Sequence, residues 1–178
     1  MSDPFADLGL PVALDLEPAL VENAWRERCR DSGTEPEAVN SARTRLSDPV
    51  SRLEAWLSIV DPEGAPDRGI SPELMDLFAR IGPALSSTDD LLARHRKAST
   101  ALARALLARE SVASQLAVQG LMQEIQPLKT MLIERFPEFE TDSSNLDFSG
   151  ARQALGQLKF LKRWEEQCRD RLLALLAT

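Results

Sequence analysis

The 178-residue chain has no tyrosine, a single histidine and only two cysteines. These scarcities argue against most catalytic and metal-binding arrangements, because histidine and cysteine are the usual zinc ligands and activated nucleophiles. Cys29 and Cys168 lie near opposite ends without a CxxC neighbour. We expect two unpaired thiols, with a disulfide between them as the alternative. The one histidine, His95, is surrounded by basic residues, a pattern typical of a solvated helix face.

Several motifs and charge patterns are also missing. The chain has no P-loop, dinucleotide-binding or nucleophile-elbow motif, so we expect no enzyme activity and no cofactor. It has 21 basic against 28 acidic residues, a net charge of −7, which disfavours nucleic acid as a partner. No apolar run approaches the roughly 20 residues that span a bilayer, and the N-terminus lacks the pattern of a signal peptide. These features predict a cytoplasmic protein that does not act at a membrane.

Strand signals are nearly absent, whereas helical periodicity fills the chain. Residues 16–30 predict a helix that ends at Ser32-Gly33, since glycine readily takes the left-handed conformation of a helix terminus. A second helix begins near Glu35-Pro36 and is interrupted at Asp48-Pro49, because the residue before proline avoids helical geometry. A third covers 50–59. The Pro- and Gly-rich segment 61–71 then predicts a linker between two domains.

The second half also reads as helical. Residues 72–85 predict a short helix broken by Gly82-Pro83. Residues 86–135 predict one or two long helices that start at "STDD" and that Pro127 kinks or divides. The segment "FPEFETDSSNLDFSG" predicts a loop before a last helix over 148–176. The expected fold is all-α, with a small N-terminal helical domain over 1–60 and an elongated antiparallel three-helix bundle over 72–178.

Three segments, in order, resemble the J-type co-chaperones of iron–sulfur cluster assembly, the HscB-like family. "DPFADLGLPVALDLEPALVENAW" is similar to the family's opening, with an aromatic residue before a Leu-Gly-Leu turn. "ALGQLKFLKRWEEQCRDRLLALL" resembles its last helix. "VNSARTRLSDPVSRLEAWLSI" matches its third helix and exit turn at Asn40, Ala42, Leu46, Pro49, Arg52, Glu54 and Leu57. The resemblance implies a J-like hairpin domain, followed by the bundle through which the family oligomerises or binds its scaffold protein.

The chain departs from this family at the centre of the J domain. The family carries His-Pro-Asp between its second and third helices, where the tripeptide triggers ATP hydrolysis by a DnaK-type chaperone. Gly33, Thr34 and Glu35 stand at that position here, so the imidazole and the fixed proline geometry are missing. The basic face of the preceding helix survives in part as Arg26, Arg28 and Arg30. We therefore expect a degenerate J domain that does not stimulate the chaperone in the usual way.

The resemblance also implies a scaffold-binding surface in the bundle. The positions that match the family's apolar patch are Leu74, Met75, Phe78 and Phe160. The alternative is that they are core residues, because Leu74, Leu77, Phe78 and Ile81 repeat at helical spacing, and this alternative carries most weight at Phe78. Trp25 and Trp56 lie on apolar stripes and are expected in the core, while Trp164 is expected against another helix or the J domain.

The expected function is a protein–protein one. The partners implied by the resemblance are an iron–sulfur scaffold or client and a DnaK-type chaperone. The alternative is an adaptor protein, unrelated to iron–sulfur assembly, in which both contact surfaces have been repurposed.

Overall fold

The computed structural model describes residues 3–30, 35–65, 67, 69, 71–143 and 147–177, and within them every regular element is an α-helix. The predicted all-α class is confirmed. The described residues form eight helices: α1 Pro4–Leu8, α2 Pro18–Arg30, α3 Pro36–Ser47, α4 Pro49–Val60, α5 Pro72–Lys97, α6 Ala101–Glu134, α7 Phe136–Ser143 and α8 Ser149–Leu176.

Proline marks the start of five of these helices, α1 to α5. Its missing N–H and fixed φ suit the first turn, where the backbone N–H has no partner within the helix. Asp48 ends α3, and its side chain then accepts a hydrogen bond from Ser51 N at the start of α4. The predicted interruption at Asp48-Pro49 is therefore confirmed. Gly9 closes α1 at a φ of 69°, in the left-handed region that glycine tolerates.

The break predicted at Gly82-Pro83 is absent from the structure, and so is the division that was one of two outcomes predicted at Pro127; the other outcome, a kink, stays a prediction. Helix α5 runs through Gly82-Pro83, and α6 runs through Pro127. The "STDD" segment accordingly lies inside α5, not at a helix start. Tertiary packing outweighs the local cost of proline in α5, because its apolar side of Leu74, Leu77, Ile81, Leu85 and Leu91 is buried on both sides of the proline.

The segment predicted as a loop at 136–150 instead contains α7. Phe136 and Phe139 on this helix are 2% and 1% exposed. Their ring centroids lie 6.2 Å apart. Burial of two aromatic side chains stabilises a helix that is too short to persist on its own.

The chain divides into two compact units, each with most of its contacts within itself. The first comprises Met1–Arg68 with Leu132–Gly156, and the second Gly69–Met131 with Gln157–Thr178. Residues 132–156 join the first unit because their aromatic side chains complete its core: Phe148 meets Trp56 edge-on, with ring centroids 6.2 Å apart. Trp56 is 2% exposed, as expected for a core residue. The sequence-based division at 61–71 stays a prediction.

Among the described residues of the first unit, Arg52 is a buried cation, 8% exposed. Its Nη1 donates to the carbonyl of Leu16 at 3.0 Å and to that of Leu46 at 3.3 Å. Its guanidinium lies 6.0 Å from the ring centroid of Phe136. Burial lowers the pKa of Arg52, and nearby carboxylates, including Asp15, oppose that shift. Arg52 thus joins the residues before α2, the end of α3 and the start of α7.

We expect Arg52→Ala to lower the free energy of unfolding by about 2–4 kcal/mol, because it leaves two buried carbonyls without donors and removes packing on Phe136. Urea unfolding followed by circular dichroism measures this loss. Arg26→Ala is the matched control, since Arg26 forms an exposed pair with Glu22 whose loss has little effect on stability. Equal urea midpoints for the two variants would contradict the structural role of Arg52.

Candidate protein-interaction surfaces

The second unit exposes three of the four apolar residues predicted to form a partner surface. Met75 and Phe78 on α5 are 54% and 55% exposed, and Phe160 on α8 is 37% exposed. Leu74 is 2% exposed, so its side chain belongs to the core and its assignment to the surface is corrected. The correction follows from helical geometry, because adjacent residues point about 100° apart and only one of Leu74 and Met75 can face the core.

Trp164 holds the two phenylalanines of this surface together. Its ring centroid lies 5.8 Å from that of Phe78 and 6.2 Å from that of Phe160. Trp164 itself is 6% exposed, so the indole forms a buried base beneath two exposed rings. The expectation that Trp164 packs against another helix is confirmed by its contact with Phe78 on α5. We call Met75, Phe78 and Phe160, with Trp164 beneath them, the aromatic patch.

An ion pair beside Trp164 fixes α8 against α6. Lys129 Nζ lies 2.5 Å from one Glu165 carboxylate oxygen, and Gln126 Nε2 donates to the other at 3.1 Å. Burial opposes ionisation of Glu165, but the hydrogen bonds and charges of Lys129, Gln126 and Arg169 outweigh it and lower the pKa of the carboxyl. The pair thus joins α8 to α6 one residue from Trp164, next to the base of the surface formed by Phe78 and Phe160.

The J-like side of the first unit carries the three arginines predicted to face a chaperone. Arg26 and Arg30 are exposed on α2, and Arg28 is half-buried. Arg28 lies over the turn that ends α1: a Cβ added at Gly9 would sit 2.6 Å from Arg28 Nη2. Of the three arginines, Arg26 and Arg30 are therefore the more exposed, and Arg26 is paired with Glu22.

Two of the three residues at the position of the lost tripeptide, Gly33 and Thr34, lie outside the described residues. Glu35 is described. It precedes the first turn of α3, is exposed, and makes no side-chain hydrogen bond to the helix N-terminus.

Trp25 is not a core residue, contrary to the sequence-based expectation. It is half-buried between α2 and α3, and its Nε1 donates to Asn40 Oδ1 at 2.9 Å. Arg43 lies over the ring at 4.3 Å from the centroid, and its Nε donates to Glu22 at 2.8 Å. The apolar stripe of α2 predicted which side of the helix turns towards the core, but it did not predict how deeply Trp25 is buried. That depth depends on how closely α3 approaches α2.

The structure places the single histidine of the chain in a contact between two helices and leaves the two cysteines unpaired. His95 is half-buried on α5, not fully solvated, and its Nε2 lies 2.7 Å from Ser111 Oγ on α6. The two cysteines are not bonded to each other: Cys29 is exposed and Cys168 is buried. Burial raises the pKa of the Cys168 thiol. Neither cysteine lies in the aromatic patch.

Searches for membrane and metal features covered the described residues. None of the helices described is both long and apolar enough to cross a membrane. In the same part of the chain, no group of three or more His, Cys, Asp or Glu side chains is placed to hold a metal ion.

The order and packing of these helices define an HscB-like J-protein fold. One solved structure with a similar fold is the chaperone HscB from Vibrio cholerae, which matches with a TM-score of 0.54 over 96% of this chain and 99% of that one. The two chains are 15% identical, so the likeness concerns the fold alone. No family model matches the chain, and no curated protein matches it either.

We expect the stability of the second unit to fall in acid partly through Glu165. Because folding lowers the pKa of this carboxyl below its ordinary 4.5, its contribution is present above pH 4.5 and is lost as pH falls through the lowered folded value. Thermal unfolding of Glu165→Gln between pH 3 and pH 7 should therefore show a weaker dependence on pH than the parent chain. The exposed neighbour Glu166 supplies the control, Glu166→Gln. If the thermal stability of the parent chain and that of Glu165→Gln fell in parallel as pH decreased, the contribution of the Glu165 carboxyl to acid sensitivity would be contradicted.

Proposed function

We propose that the protein is a co-chaperone-like interaction protein that binds a protein partner through the aromatic patch. The observation that carries the proposal is the exposure of Met75, Phe78 and Phe160 together in the second unit. The HscB-like fold supports a role among chaperones and their clients, since the matched structure is that of a chaperone. The role we propose is non-catalytic and cytoplasmic.

The chemistry of the aromatic patch suits a partner with an apolar side chain to bury. Two exposed phenylalanines pack over a buried indole and present aromatic surface to a partner. Because each phenylalanine has few rotamers, it loses little conformational entropy on binding. Aromatic residues dominate the energy of many interfaces for this reason. We propose an iron–sulfur scaffold protein or its client as that partner, on the ground that the resemblance implies one at these positions.

The alternative is an adaptor with a partner outside iron–sulfur assembly. One observation of the sequence favours it: "ARIGPALSS" follows the patch residues on α5, where the family carries an acidic run. An adaptor would use the same aromatic patch with a partner that does not need those charges.

Affinity for an iron–sulfur scaffold protein, measured by calorimetry, tests the proposal. We expect Phe78→Ala combined with Phe160→Ala to weaken binding about tenfold or more, as loss of central aromatic contacts does. Leu173→Ala is the control, because Leu173 is 60% exposed on the same helix as Phe160 but about 20 Å further along it. An unmeasurable affinity of the parent chain for the scaffold would favour the adaptor. If the double variant and Leu173→Ala bound the scaffold with equal affinity, the aromatic patch would not be part of the interface.

On the J-like side we propose that the protein no longer triggers ATP hydrolysis. A single-turnover assay with a cognate DnaK-type chaperone should show no acceleration by the parent chain. The variant that carries Gly33→His, Thr34→Pro and Glu35→Asp restores the tripeptide and should gain some stimulation if the flanking helices keep a J-like geometry. Strong stimulation by the parent chain that Glu35→Ala abolishes would overturn this proposal.

A further inference from the structure

The end of the second unit where α5 gives way to α6 carries a cluster of positive charge. Residues 91–109 contain no acidic residue, whereas the whole chain has a net charge of −7. One of the five arginine and lysine residues in this stretch, Arg94, forms an ion pair with Glu110. The other four are exposed, and their side chains form no ion pair or hydrogen bond with the described residues. We call these four the basic cluster: Arg96, Lys97, Arg104 and Arg109.

Helix stability accounts for only half of the basic cluster. Arg96 and Lys97 lie in the last turn of α5, where the negative end of the helix dipole attracts cations. Arg104 lies in the first turn of α6, and that turn contains no acidic residue. A cation is disfavoured there, because the N-terminal end of a helix dipole is itself positive. A residue that opposes local stability in this way commonly serves a function, and an anionic partner would compensate it.

Exposed leucines share one face of α6 with Arg109. Leu102, Leu106 and Leu116 are 72%, 68% and 65% exposed. With Arg109 and Ala113 they follow the alternating four- and three-residue spacing by which one helix packs along another. We call these five residues the leucine stripe. It extends about 20 Å along α6, a length that a helix of about four turns would cover.

The charge of Arg109 determines what can cover the leucine stripe. An apolar surface would remove water from the guanidinium and leave it unpaired, which is costly. A carboxylate on the covering surface avoids this cost by accepting a charge-assisted hydrogen bond. Membrane hydrocarbon offers no such group at the depth of the leucines. A second copy placed about a two-fold axis near Arg109 would bring Arg104 and Arg109 towards their own counterparts, and like charges oppose that contact.

We propose that the leucine stripe and the basic cluster form a docking site for an acidic amphipathic helix of another protein. Apolar side chains of that helix cover the three leucines, and a carboxylate among them pairs with Arg109. Acidic residues along its border face Arg104 and the end of α5. The site shares no residue with the aromatic patch, since Arg96 lies about 27 Å further along α5 than Phe78. It therefore does not depend on the proposed function.

Fluorescence anisotropy of a labelled helical peptide, titrated with the full chain, tests the site. The peptide spans about three heptads, with leucine at the a and d positions except for one central glutamate, and with glutamate at the flanking positions. A matched peptide has lysine in place of every glutamate. We expect the acidic peptide to bind at least about tenfold more tightly than the basic one, with an affinity that falls as salt increases. No binding of the acidic peptide, or equal binding of the two peptides, would overturn the proposal.

Charge reversal tests the contact at Arg109. Arg109→Glu should weaken binding of the acidic peptide at least about tenfold, and a peptide with lysine at the central position alone should recover affinity for this variant. The control Arg163→Glu makes the same change in net charge at an exposed position of α8 and should leave binding unchanged. Circular dichroism confirms that each variant is folded. Equal losses in the two variants, or no recovery with the exchanged charges, would contradict the pairing of Arg109 with a carboxylate.

Cosedimentation with vesicles of phosphatidylcholine and phosphatidylserine distinguishes a protein partner from a membrane. We expect the full chain to stay in the supernatant at physiological salt, because Arg109 interrupts the apolar surface that would enter the lipid. If the chain bound these vesicles, and Leu102→Ala combined with Leu106→Ala abolished that binding, the surface would be a membrane contact and the proposal of a protein helix would be wrong.

Discussion

The guanidinium of Arg52 is the interaction on which the first unit depends. It donates to carbonyls that lie before α2 and at the end of α3, and it rests near Phe136, far along the chain. The two carbonyl oxygens need a buried hydrogen-bond donor, because two acceptors cannot pair with each other. A buried cation is costly to leave unsatisfied, so the same residue that joins the three segments also disfavours other arrangements of them.

The second unit is organised differently, by aliphatic packing between long helices with ion pairs around it. Arg171 binds Asp89, with Nε to Oδ1 at 3.1 Å, and Lys129 binds Glu165. Leu74, Leu77 and Leu158 lie inside this packing, whereas Phe78 and Phe160 lie at the surface in contact with the ring of Trp164. A surface built in this way is ready for a partner, because its side chains need little further ordering on binding.

Helix starts were predictable from the sequence wherever a local signal was strong, as at Pro36 and at Asp48-Pro49. The break predicted at Pro83 was wrong because the cost of a proline is local, whereas the burial that compensates it comes from neighbouring helices. Helix α7 was missed for the same reason: Phe136 and Phe139 are stabilised by burial that no local pattern reveals. In the candidate site, the resemblance pointed to a stretch of α5 that is exposed in part, but it could not separate buried Leu74 from exposed Met75 and Phe78.

By itself the sequence determined the helical class of the protein, the positions where most helices begin, and the absence of His-Pro-Asp from residues 33–35. Each of these follows from residue identity or from short-range spacing. Only the tertiary structure decided which residues at helical spacing face solvent, and that Trp164 unites Phe78 with Phe160. The physical reason is that periodicity defines the faces of a helix, whereas burial depends on which neighbour covers each face. That neighbour is set by contacts between residues far apart in the chain.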